Sequence, residues 1–465
     1  MAPFDADLEG RLRDLRVRAD DLAPAPADLV RAVRARHRRQ RRTQLRFAAA
    51  GLAVALLFIG VPVIASTLDA QRSETAKPAE ETPGRAERAL YGQPPRGSLA
   101  DDEEWLAGIA ARKLVPADPA EESSTSPVSE ESIDVRATAF AGDVPGARVA
   151  LVVARLRDDR VVQAWFTGPT GAEPEEMTLT ELDDAPRTGP LALLDIPDPV
   201  RGEAVLVVAA FPGDAAEVMT GHVVTASGEI RERWEQVPID DGAGWLGLDL
   251  PVVWLQNSTQ LRIGPGGEDW ERISPRLTER TAAAEDPGLL GLADPRGLRG
   301  AVDEFQLRTA VRHLVSAFGS HPDELGLTLL AGGRVDGLPA NSLLVGATFA
   351  SGATMGFVVV YPDDLGNPSM ATTYQSQTAT GVAPAGTALL DRVFAVELAE
   401  VVTVSGPGSG MRAEIYDAEG VPLTTVPLVA GAGAGALPPQ TPSVVRIFDG
   451  SGALVAEAPV TQPGE

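Results

Sequence analysis

From Phe47 to Leu68 the chain reads FAAAGLAVALLFIGVPVIASTL, 22 residues without a charge. As a helix it would extend about 33 Å, enough to cross a hydrocarbon core of roughly 30 Å. Eleven of these residues are Leu, Ile, Val or Phe, which together favour insertion by roughly 3–7 kcal/mol. Pro62 falls near the end of such a helix, where a freed carbonyl lies close to the interface. The stretch predicts an uncleaved transmembrane helix over 47–68. A buried core helix is the bland alternative, and no other segment of the chain is so long and so apolar. A removable export signal is the other competitor, with Val63-Ile64-Ala65 as a cleavage site and Arg41-Arg42-Thr43-Gln44-Leu45 as a loose twin-arginine motif. Against it, 46 residues precede the apolar run, far more than an ordinary leader carries.

Charge orients the span. Residues 31–46 hold eight Arg and no acid, whereas Asp69, Ala70, Gln71 and Arg72 on the other side form no basic cluster. This asymmetry predicts a cytoplasmic N-terminus and an extracytoplasmic bulk in the cell membrane. The formal net charge is −25, and the acid excess lies entirely after the span. Nucleic acid is therefore not an expected partner, since phosphate contacts need a basic face; a cationic peptide or metal ion suits the field better. The chain has no Cys, which excludes disulfides, thiolate metal sites and a Cys nucleophile.

The head, 1–46, begins with Leu8, Leu12, Leu15, Ala19 and Leu22 at alternating spacings of four and three, one stripe of a helix. Such a stripe cannot bury itself in so short a segment. Leu8, Leu12, Leu15 and Leu22 are candidate contacts for a cytoplasmic partner protein; alternatively the Arg-rich part only fixes topology and touches anionic lipid.

A short basic head, one span and an exported acidic tail resemble uncharacterised actinobacterial single-pass membrane proteins, a likeness of layout over residues 1–70. The two Lys against 38 Arg agree with a GC-rich source. The layout also resembles membrane-bound anti-sigma factors, although the His/Cys zinc motif of many of those is missing.

Past the span, 69–100 is rich in Pro, Glu and small polar residues and predicts a flexible stalk. Two blocks, 101–263 and 301–460, follow, separated by a Gly- and Pro-containing linker, 264–300. They look alike. WLAGIAARKLV (105–115) matches FQLRTAVRHLV (305–315), and the hairpin starting at Ala147 matches the one starting at Asn341. LALLD (191–195) pairs with TALLD (387–391), HVVTASGEIRERWEQVPI (222–239) with AEIYDAEGVPLTTVPL (413–428), and VVWLQNS (252–258) with VVRIFDG (444–450). Short Val-rich runs between Gly, Asp, Asn and Pro signals indicate antiparallel sheets. The fold class is thus mainly β (α+β): a transmembrane helix, then two tandem modules, each a helix packed on an antiparallel sheet or sandwich.

Chemistry is sparse. HExxH, GxxxxGK[ST], GxSxG and EF-hand patterns are missing from the sequence. The glycine run 431–435 reads as a flexible turn, because Pro438 and Pro439 follow too soon for a phosphate-binding helix. His313 and His321 read as a surface and a capping residue. All six Trp lie at or before position 270. Trp165, Trp234 and Trp254 are a candidate stacking platform for a ligand, with core filling as the favoured alternative. No catalytic residue, metal site or cofactor is assigned. The expected role is a membrane-anchored extracytoplasmic binding or sensing protein, with signalling through the head to a cytoplasmic partner. The rival is a cell-envelope interaction protein whose head only anchors it, and an exported enzyme ranks third.

Overall fold

The computed structural model describes residues 89–114, 128–186, 188–198, 203–265, 270–278, 280–281, 291–363 and 376–462. The expected cytoplasmic head with Leu8, Leu12, Leu15 and Leu22, the uncharged stretch 47–68 and residues 69–88 lie outside the described residues. Among the described residues no helix is long and apolar enough to cross a membrane. The described chain is mainly β, in six sheets.

Four antiparallel strands open it: β1 (Ile133–Val144), β2 (Ala147–Leu156), β3 (Val161–Gly168) and β4 (Thr178–Ala185), paired in chain order. β2 and β3 are buried along almost their whole length, which explains why VALVVA and VVQAWF lack polar alternation: both faces are covered. Helix α1 (Glu103–Ala110) puts Trp105 and Ile109 on one face, against Ala150, Val152, Ala164 and Phe166. It starts where Asp102 caps the Trp105 amide at 3.0 Å. The opposite face, with Leu151, Val153 and Trp165, packs on Leu193, Val205 and Val207 of the next layer.

That layer is one sheet of a sandwich. It holds β5 (Leu191–Asp198), β6 (Glu203–Ala209) and β10 (Ala243–Leu248), with β9 (Ile239–Asp240) and β13 (Arg276–Leu277) at its edges. Facing it are β12 (Glu271–Ile273), β11 (Leu261–Gly264), β7 (Ala215–Val224) and β8 (Ile230–Val237), in that order. Leu194, Leu206 and Val208 meet Val218, Leu261 and Ile263 across the core, which Trp254 of helix α2 (Val252–Asn257) also enters. Strand β5 sends alternate residues to two cores, the mark of a middle layer.

A helix, a meander and two further sheets follow. Helix α3 (Glu304–Phe318), capped by Asp303, packs on a meander of β14 (Thr328–Arg334), β15 (Ala340–Thr348), β16 (Thr354–Pro362) and β17 (Ser376–Ala379). The other meander face meets a sheet of β18 (Phe394–Leu398), β19 (Val401–Ser405) and β22 (Ala432–Ala436). That sheet is sandwiched in turn with β21 (Pro422–Pro427), β20 (Arg412–Tyr416), β23 (Val444–Phe448) and β24 (Leu454–Pro459). The order 5-6-10 corresponds to 18-19-22, and 12-11-7-8 to 24-23-20-21. Setting aside the two short edge strands of the first, each pair is a three-strand sheet facing a four-strand sheet.

Several local expectations change. The last part of the expected stalk is packed, with Leu90 and Arg96 buried. The expected linker contributes β12 and β13, and its Thr278 and Thr281 bond to the buried Asp195 or its strand. VVWLQN is helix α2 whereas VVRIF is β23; the topological partner of β23 is β11. LALLD is β5, yet TALLD precedes β18 as a turn. The run at 432–436 is strand β22 rather than a turn, paired with β19. Glycine suits it because a Cβ on Gly433 would stand 2.4 Å from the Pro427 carbonyl oxygen and one on Gly435 2.9 Å from Val426.

Two arginines that pattern matching overlooked mark the same place in each half. Pro95-Arg96-Gly97 and Pro295-Arg296-Gly297 precede α1 and α3. Arg96 Nη1 donates to the Ala210 carbonyl just past β6, and Arg296 Nη2 to the Gly406 carbonyl just past β19, both at 2.5 Å. Burial lowers the pKa of each guanidinium.

The halves meet at backbone. Gly221 of β7 lies against Phe318 and Gly319 at the end of α3, and a Cβ on Gly319 would stand 2.8 Å from Gly221 Cα and from the Trp254 ring. The His222 ring nitrogen Nδ1 donates to the Ala317 carbonyl at 2.9 Å.

Candidate interaction faces

In each half the last sheet has one face in the sandwich core and one toward solvent, and the solvent face carries a ladder of arginines, aromatic rings and glutamates. On the first sandwich, Arg262 of β11 lies opposite Glu217 of β7 and pairs with it. Its guanidinium carbon is 4.6 Å from the ring centre of Trp234 and 5.2 Å from that of Trp270. Arg272 approaches Trp234 at 5.4 Å and pairs with Glu232, whose carboxylate also accepts from the Trp234 indole N–H at 3.0 Å. Period-2 alternation sets this up: Leu261 and Ile263 point inward, so Arg262 points out.

On the second sandwich the topologically equivalent pair is Glu414 of β20 opposite Arg446 of β23. Arg446 stacks on Tyr416 and Arg412 on Phe448, each at 4.7 Å. Arg446 pairs with Glu457 at 2.6 Å and Arg412 with Glu414 at 3.1 Å. The Tyr416 hydroxyl donates to Glu414 at 2.5 Å, which holds that carboxyl below its usual range and pushes the phenol up. Exposed cation–π contacts stabilise by about 0.5–1 kcal/mol each. Cross-strand pairing adds a comparable amount.

The structure divides the three candidate tryptophans. Trp165 is 0% and Trp254 1% exposed, both in cores. Their indole N–H groups donate inward, to Gln163 Oε1 at 3.1 Å and the Met219 carbonyl at 3.3 Å. These two are not a ligand platform. Their positions on middle-layer β3 and on a helix plugging the sandwich leave no ring face to solvent. Of the three, Trp234 alone is half-exposed, sandwiched by arginines, and Trp270 joins it. No local signal in the sequence foretold the ladder, because its members come from four strands.

Other candidates disperse. His313 is half-buried and stacked on Phe357 at 5.3 Å, while His321 lies 3.5 Å from Asp249. Among the described residues no group of three His, Asp or Glu is placed to hold a metal ion.

No protein-family model matches the chain, and no curated protein matches it significantly. Among solved structures, the WD40 domain of SCAP from fission yeast is 7% identical, over 70% of this chain and 66% of that one, with a TM-score of 0.12. A GH43_1 enzyme from Xanthomonas citri is 10% identical, over 71% of this chain and 74% of that one, with a TM-score of 0.10. Likenesses this faint carry no functional argument.

Proposed function

We propose that this chain is a single-pass membrane protein that binds or senses a protein partner outside the cytoplasm, through two tandem copies of one module. The observation that carries the reading is the ladder itself. Arg, Trp and Tyr are the residue types that concentrate binding energy at interfaces, and here they recur on the equivalent solvent face of both sandwiches. The matching strand orders, the paired arginines at 96 and 296 and the cap aspartates at 102 and 303 support duplication of a helix–meander–sandwich unit. The uncharged stretch 47–68 and the arginines before it support the anchor and its orientation. The leucine stripe from Leu8 to Leu22 is the proposed route to a cytoplasmic partner.

The cysteine-free sequence makes the test clean. Single cysteines at Ala19 and Ser451 are probed on intact cells with a membrane-impermeant maleimide. Ser451→Cys should label on intact cells and Ala19→Cys only after lysis; labelling of Ala19→Cys outside, or a chain found free of the membrane, refutes the topology. A photo-crosslinker at Gln236, opposite Glu217 on the same face as Trp234, should give a discrete adduct that Arg262→Ala weakens. No adduct above that from a crosslinker at Glu175 refutes the face as a binding surface.

A further inference from the structure

Arg96 is 5% exposed and uses only one of its three nitrogens. Nη1 donates to the carbonyls of Ala210 at 2.5 Å and Asp241 at 3.2 Å. Nε and Nη2 are buried and have no acceptor. Those two nitrogens form the edge of a guanidinium that grips a carboxylate with two parallel bonds. The same edge is occupied elsewhere in this chain. Arg148 Nε and Nη2 hold the two oxygens of Asp143 at 2.7 and 2.8 Å, and Arg280 holds Asp195 in the same way.

The equivalent Arg296 makes the contrast sharper. Its terminal nitrogens are spread over the carbonyls of Leu330, Leu390 and Gly406 and the Ser405 hydroxyl. Arg96 has no such set of acceptors. Burying a cationic donor pair without acceptors is strongly unfavourable, so a group supplying two acceptor oxygens would be bound with a large gain. The backbone holds the guanidinium in place for it: a Cβ on Gly242 would stand 2.8 Å from Nη1, so only glycine lets the turn press against it. Asp241 is the carboxylate whose field reaches Arg96, and its side chain makes no hydrogen bond to the guanidinium.

We propose that the Nε–Nη2 edge of Arg96 is a binding site for a small oxyanion, a carboxylate or phosphate group presenting two oxygens to the fork. The site lies between the loop ahead of α1 and the ends of β6 and β9, remote in chemistry from the aromatic ladders, and does not depend on the function proposed above. Arg296, with its nitrogens spread over four protein acceptors, does not share it.

The test is thermal unfolding of the full chain in detergent, with acetate or inorganic phosphate exchanged for chloride at constant ionic strength. Wild-type protein should show a saturable rise in midpoint, and Arg96→Gln should lose the anion-dependent increment whatever its own midpoint. A rise with acetate alone assigns a carboxylate ligand; a rise with phosphate alone assigns a phosphoryl group. Should Arg96→Gln fail to fold, Asp241→Asn serves instead. Asparagine tolerates the positive φ of 46° at that turn, and removing the like charge should lower the half-saturating anion concentration by about threefold to tenfold. No increment in wild type, an increment that survives in Arg96→Gln, or an Asp241→Asn protein with unchanged half-saturation each overturns the proposal. So does a crystal structure grown in phosphate with only water at the fork.

Discussion

Replacing Gly319 by alanine isolates the contact that joins the two halves. Gly319 ends α3 in the left-handed region, with φ 65°, where a Cβ costs about 1–2 kcal/mol by itself. That Cβ would also sit 2.8 Å from Gly221 Cα, 2.8 Å from Trp254 Cδ2 and 3.0 Å from the Thr220 carbonyl oxygen. Backbone and a buried indole cannot retreat cheaply, and overpacking of this kind costs a further 1–3 kcal/mol or so. The total is about 2–5 kcal/mol. Gly420 provides the control: its φ is 79°, but a Cβ there meets nothing within 4 Å, so Gly420→Ala should cost only the conformational part. Urea unfolding followed by tryptophan emission is the assay. Every Trp precedes Gly319, and Trp254 touches the substituted position, so a second-half substitution is read from the first half. Gly319→Ala should lower stability by about 1–3 kcal/mol more than Gly420→Ala. If both cost the same, the halves are not locked through this contact and the packing argument fails.

Three further outcomes follow from buried polar and aromatic groups. Burial lowers the pKa of His222 and His313, the latter helped by adjacent Arg312. Folding therefore disfavours charging either ring, and stability is lost as pH falls below the ordinary histidine value of about 6.5. Urea midpoints at pH 7.5 and 5.5 should show that loss shrinking in His313→Leu relative to wild type. Partly buried Glu181 and Glu397, raised by desolvation, act with the opposite sign and are common to both proteins. An equal loss in both proteins refutes the assignment. Asp195→Asn disrupts the bonds from Arg280 and Thr278 that tie the 276–281 segment to β5. It should cost about 1–3 kcal/mol and speed hydrogen exchange at the Thr278 amide, which donates to Leu194; unchanged exchange refutes the tie. Trp165→Ala should cost about 3–5 kcal/mol in thermal or urea unfolding, whereas Trp270→Ala, at the ladder's rim, should cost less than about 1 kcal/mol. The reverse order would contradict their placement.

Much of the fold could be read locally. The Asp102 and Asp303 caps with apolar spacing behind them place α1 and α3, and the turns at Asp158-Asp159 and Ser351-Gly352 place the β2–β3 and β15–β16 hairpins. HVVTASGEIRERWEQVPI spans the hairpin β7–β8 and AEIYDAEGVPLTTVPL the hairpin β20–β21. Errors arose where local pattern is ambiguous. VVWLQN and VVRIF share an apolar opening, and a six-residue run has too little length to show its period. The glycines at 433 and 435 suggest a turn in isolation and become a strand because two sheets close on them. Neither ladder was legible, since Glu217, Trp234, Arg262 and Arg272 meet only once their four strands pair.

By itself the amino-acid order determined where the helices α1 and α3 and several of the hairpins form. It also determined the charge asymmetry around the uncharged stretch. Those properties depend on neighbours a few residues apart. Tertiary structure alone decided which sheet each strand joins, that two tryptophans face inward and one outward, and that Arg296 finds a full set of acceptors while Arg96 does not. Such differences depend on groups more than a hundred residues distant in the chain, and no local pattern encodes the geometry in which they meet.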